Sequence, residues 1–178
     1  METTHPSPAE IAKAIIKSFD SLPERLRAKN TKGDGAWTVQ LKDDIGTLGE
    51  KHGWAVCAGG FKDRFDGGWL YDLVWYRNNE KGHLVEVYLV LESEWGNNTH
   101  IKYDFEKLHL AKSALKVMVF QTRSWKIEKL FEFLVEGIRA WPKQSTDETY
   151  LLIAYNIDTG NFDIRQFDGC GLSRKSSQ

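Results

Sequence analysis

The chain has 178 residues, long enough to bury a real core and short enough to form one domain. Hydrophobic residues make up 41% and charged residues 28%, the balance of an ordinary globular protein, and seven Trp supply large flat side chains for its core. The formal net charge of -1 removes any overall attraction to nucleic acid, so a nucleic-acid role needs a local basic surface or contact through a metal.

Two cysteines, Cys57 and Cys170, show no zinc-ligand spacing and read as free thiols in a reducing cytoplasm. No apolar run approaches the ~18 residues that span a bilayer. The first ten residues lack a basic-then-apolar signal pattern. The expectation is a cytoplasmic protein with no membrane partner. Asn97-Asn98-Thr99 matches a glycosylation tripeptide, which is idle in that setting.

Along the chain, Ile11, Ile15 and Phe19 recur at helical spacing, with Ser7 and Glu10 placed as a capping pair. Pro23 bends or restarts this helix, and 29–35 (KNTKGDG) is a polar linker. Residues 1–35 are therefore expected to form a helical appendage, 36–172 a single α/β domain, and 173–178 a disordered tail. Residues 37–52 make the next helix, with Leu41, Ile45 and Leu48 on one face, and 54–58 a short strand. A loop rich in glycine and charge, 59–68, carries Lys62 and Arg64, a flexible segment with enough positive charge to touch a phosphate backbone. Residues 69–77 read as a strand containing Asp72, 78–82 (NNEKG) as a turn, and 84–94 as a long strand. Asp104 is placed to cap a helix over 104–113. Residues 115–121 form a buried strand, 124–141 the longest helix, and 148–157 and 161–167 a hairpin about Asp158-Thr159-Gly160. This order predicts a mixed sheet flanked by helices, with a parallel crossover after the three consecutive strands.

One cluster carries chemistry. Asp72 sits among Trp, Leu, Tyr and Val, where a charge costs several kcal/mol unless it is paired or bound to a metal. Glu92 and Glu94 lie two apart on the 84–94 strand and so point to one face. If the two strands are neighbours, the three carboxylates converge, and a hard cation such as Mg²⁺ relieves their repulsion. Such a metal polarises a phosphoryl oxygen and lowers the pKa of a bound water. The five histidines are scattered, and no GxSxG, P-loop or GxGxxG occurs.

The helix-strand-strand-strand-helix-strand order over 37–121, with Asp72 followed by Glu92-Ser93-Glu94, resembles the PD-(D/E)xK nuclease superfamily. That resemblance implies a restriction endonuclease-like core, extended by a C-terminal helix and a β-hairpin. It implies Mg²⁺ or Mn²⁺ held by Asp72 and Glu92, with Glu94 as a further ligand or water-orienting group. Tyr71 replaces the motif proline, and Glu94 stands where the motif lysine is expected. Lys107 on the following helix is placed to deliver the missing amine, ahead of Lys112 and Lys102. Glu50, at the end of the 37–52 helix, resembles the extra helix-borne acid of some members and joins the metal candidates. Gln121 ends the buried strand and reads as a strand-end polar residue, with lining of the site as the second reading. The implied activity is hydrolysis of DNA phosphodiester bonds; the size of the chain adds the expectation of a homodimer or a partner protein. The alternative is an inactive nuclease-like fold kept as a binding or assembly module.

Overall fold

The computed structural model describes residues 6–28, 33–61, 64–143 and 145–174. Lys62, linker residues 29–32 and tail residues 175–178 lie outside the described residues. The chain is an α/β protein whose six strands form one mixed sheet, flanked by helices and ordered as in the sequence. The strands are β1 (Ala55–Ala58), β2 (Leu73–Asn78), β3 (Leu84–Glu94), β4 (Ser113–Thr122), β5 (Thr149–Asn156) and β6 (Asn161–Asp168). β1 and β2 pair antiparallel, β4 and β5 parallel, and β5 and β6 antiparallel. The parallel β4 and β5 are joined through a helix, as strand-helix-strand connections favour. By packing, the chain divides into two compact units, residues 1–88 and 89–178.

In the first unit, α1 (Pro8–Asp20) starts with a reciprocal capping box. Ser7 Oγ accepts from the Glu10 amide, and the Glu10 carboxylate accepts from the Ser7 amide at 2.8 Å. Ile11, Ile15 and Phe19 are buried, each stabilising the fold by roughly 1.5–3 kcal/mol. α1 ends at Asp20, and α2 (Leu22–Ala28) restarts with Pro23 in its first turn, where a missing N–H costs nothing. α3 runs from Asp34 to Lys51, so the last two residues of the expected linker are helical. Arg25 reaches from α2 to Asp44 of α3 through two hydrogen bonds, 2.9 and 2.6 Å. α3 packs on β1 and β2, and Gly49 lets it approach the fully buried Trp75 indole. The turn after β2 closes as expected. Asn79 N–H donates to His83 O, and Gly82 adopts φ +80°, a conformation that suits glycine.

In the second unit, α4 (Asn98–Leu110) begins six residues ahead of the expected cap. The Asn97 side chain accepts from the amides of Thr99 and His100, at 2.9 and 3.3 Å, and so caps the helix in place of Asp104. The Gln121 amide donates to Trp95 O and holds the preceding loop, which favours this earlier start. A short 3-10 turn (Ser124–Lys126) leads into α5 (Ile127–Ala140), whose buried stripe is Ile127, Leu130, Phe131, Leu134, Val135 and Ile138. The β5–β6 hairpin closes with Gly160 N–H donating to Asn156 O at 2.8 Å. Ser173 bridges to Phe167, and Arg174 N–H donates to Gln166 O, so these first two residues of the expected tail are structured.

Candidate active site

Asp72 does not lie inside a strand. β2 starts one residue later, at Leu73, and Asp72 is half-buried at the end of the segment leading into it. The expected strand reached back to Trp69. However, Trp69 and Leu70 are exposed, and 64–67 takes a different path. There the backbone of Asp66 bonds to Val56 and Ala58, pairing with β1. The strand-like alternation at 69–72 thus has no sheet face to pack on. Tyr76 O–H donates to the Asp66 carboxylate. This bond, reinforced by burial, pushes the Tyr76 phenol up to about 12.

Glu92 lies on β3 as expected and is only 3% exposed. A carboxylate at that depth needs a partner. Lys107 supplies one: its ammonium stands 2.6 Å from Glu92 Oε1 and 2.9 Å from Asp104 Oδ1. Lys107 occupies the last turn of α4, because that helix begins at Asn98. Burial pulls its pKa down, but hydrogen bonds to Glu92 and Asp104 outweigh this and leave it above its ordinary value. At neutral pH Lys107 is a cation that donates hydrogen bonds; it is too fully protonated to serve as a base.

Glu94 is turned elsewhere. Its Oε1 accepts from the Gly96 amide at 2.5 Å, within the loop before α4. Glu50 is exposed at the end of α3 and pairs with Arg64 at 3.4 Å. Arg64 also bonds Asp43 and Thr47, so this basic residue of the glycine-rich loop is committed to α3. Lys102 pairs with Glu106 at 2.8 Å, Lys112 is exposed, and Gln121 holds the Trp95 carbonyl. Among the described residues, no three His, Cys, Asp or Glu side chains come together as a metal-holding group. Both cysteines are free thiols, as expected.

One buried polar array escaped the sequence reading. Lys116 of β4 is 0% exposed, and its ammonium donates to Glu148 at 2.7 Å and to the Tyr150 hydroxyl at 3.3 Å. Tyr150 O in turn lies 2.9 Å from His109 Nδ1. Burial, with the Lys116 charge behind it, lowers the His109 pKa to about 4. Burial also raises the Tyr150 phenol and lowers the Lys116 ammonium, the latter against the opposing pull of Glu148. The available signal was Lys116 itself, a charge inside the apolar run LKVMVF.

The fold defines an α/β protein of mixed-sheet architecture, with a buried carboxylate-ammonium pair joining β3 to α4. Compared with models of known protein families and with curated proteins, the chain matches none.

Proposed function

We infer that the chain is a metal-dependent nuclease-like domain that hydrolyses DNA phosphodiester bonds. The observation that carries this reading is the 2.6 Å contact between Lys107 and the buried Glu92. It places an amine from the helix after β3 at the carboxylate that the resemblance assigns to the metal.

The donor set suits Mg²⁺ or Mn²⁺. Mg²⁺ binds oxygen ligands, often one or two carboxylates, and retains several waters. Glu92 would be a ligand, and the resemblance assigns Asp72 the same role. The bound ion would polarise the phosphoryl oxygen and acidify a water. Lys107, held protonated by Glu92 and Asp104, would stabilise negative charge on the phosphate. Glu94 would contribute only by leaving the Gly96 amide. Glu50 would join only by releasing Arg64.

One observation favours the alternative, an inactive nuclease-like fold serving as a binding or assembly module. Lys107 already has two carboxylate partners, which balances Glu92 without a metal. Metal-supplemented cleavage of single- and double-stranded DNA and RNA tests the nuclease reading. Asp72→Ala and Glu92→Ala should abolish cleavage, and Lys107→Met should slow it by about 10²-fold or more, the scale of one lost charge-stabilising donor. Cleavage indifferent to Asp72→Ala and Glu92→Ala would overturn the site. No calorimetric heat at millimolar Mg²⁺ or Mn²⁺ would favour the module.

A further inference from the structure

A cavity of about 440 Å³ opens between α4 and α5. Its size falls in the range of small-molecule sites. Phe105, Leu110, Phe133, Ala140 and Trp141 supply apolar walls, and the Lys102–Glu106 ion pair lies at the rim. Gly137 leaves the floor open: a Cβ there would stand 3.2 Å from the Phe105 ring and 3.7 Å from His109 Nε2. His109 is only 8% exposed, with its ring stacked on Trp141 at 5.4 Å.

The buried array behind His109 decides what the cavity presents. Lys116 has no acceptor capacity, so at Tyr150 it donates and the phenol oxygen accepts. Tyr150 has one proton left to place. Among the described residues its only other hydrogen-bond neighbour is His109 Nδ1, at 2.9 Å. Tyr150 O–H therefore donates to Nδ1. The neutral imidazole must then carry its own proton on Nε2. No described residue accepts from Nε2, which lies on the Gly137 side of the ring, toward the cavity. Nε2–H thus faces the open cavity, where a ligand oxygen can take the place of water as its acceptor.

The geometry points to a binding site for a small, ring-bearing apolar molecule whose carbonyl-type oxygen accepts the hydrogen bond of His109 Nε2–H. The rings of Phe105, Phe133 and Trp141 contact its body. Glu106 neutralises Lys102 at the rim, so a neutral acceptor fits better than an anion. Lys107 also lines the cavity, with its charge met by Glu92 and Asp104.

The test uses the full chain and two matched probes, 2-acetylnaphthalene and 2-ethylnaphthalene, which differ by one carbonyl oxygen. Imidazole ¹⁵N NMR of the free protein should show His109 protonated on Nε2; the opposite tautomer would overturn the proposal. In NMR titrations the acetyl probe should bind about fivefold tighter, the effect of one neutral hydrogen bond. Both probes should shift His109 and Trp141. His109→Phe keeps an aromatic ring on Trp141 and should make the two affinities equal. Should that variant fail to fold, Gly137→Ala decides the matter. It favours the helix and places a methyl group against Nε2, so the acetyl preference should disappear. Equal binding of both probes to the wild type, no shift at His109, or a preference that survives substitution would each refute the site.

Discussion

Removing Glu148 should strand a charge in the core. Lys116 has a side chain 1% exposed, and its carboxylate partner, at 2.7 Å, is 21% exposed. Breaking one side of a buried pair costs about 3–5 kcal/mol, because the remaining ion stays desolvated. Partial access of water to Glu148, and the Tyr150 oxygen still 3.3 Å from the ammonium, place Glu148→Ala near the low end, about 3 kcal/mol. Lys116→Met is asymmetric to it. Methionine suits the apolar site, Glu148 can hydrate, and Tyr150 O–H keeps its bond to His109. The expected change is within about 1 kcal/mol of wild type.

The sign of the pH dependence gives a second signature. Burial already holds Lys116 below its ordinary pKa of 10.5, against the pull of Glu148. Without Glu148 that pKa falls further. Between the lowered folded value and 10.5 the unfolded chain binds more protons, so the stability of Glu148→Ala should rise with pH more steeply than that of wild type. Urea unfolding followed by circular dichroism at neutral and alkaline pH measures both quantities. A Glu148→Ala loss below about 1 kcal/mol with a Lys116→Met loss above about 3 would refute this account. Stability would then rest on bonds made by Lys116 itself.

His109 gives the opposite end of the pH scale. Its pKa drops from 6.5 unfolded to about 4 folded. The unfolded chain therefore takes up the extra proton first, and stability should fall as pH drops from 6.5 toward 4. The contribution is at most about 2–3 kcal/mol, since the cavity side of the ring admits some water. The stability difference between wild type and His109→Phe, measured across that window, should carry this slope; a flat difference would contradict it. Gly49→Ala should destabilise the first unit. Its Cβ would lie 2.6 Å from the indole nitrogen of Trp75, which is 0% exposed and has no room to withdraw. Overpacking of this kind costs about 1–3 kcal/mol, read as a lower urea midpoint, and an unchanged midpoint would mean that α3 moves freely over β2.

Element identity was legible because it rests on local periodicity. The β3 limits, the Ser7–Glu10 capping box, the stripe of α5 and the β5–β6 hairpin all follow from spacings within a few residues. Asp72 and the start of α4 were misread for a shared reason. Alternation at 69–72 makes a strand only where a sheet face receives it, and that segment has exposed Trp69 and Leu70 instead. Asn97 and Asp104 are both competent caps. Gln121, distant in sequence, holds the loop at Trp95 and so favours Asn97.

The acids and amines themselves were visible in the sequence, but their partners were not. The sequence by itself determined that Glu92 lies on a long strand, and that Lys107 follows on the next helix. Only the tertiary structure decided that these two meet at 2.6 Å, that Glu94 turns to Gly96, and that Glu50 pairs with Arg64. It also decided that Lys116, Tyr150 and His109 meet in one buried polar chain. A carboxylate can be satisfied by any cation or amide within about 3 Å, and which one arrives depends on contacts between elements far apart in the chain.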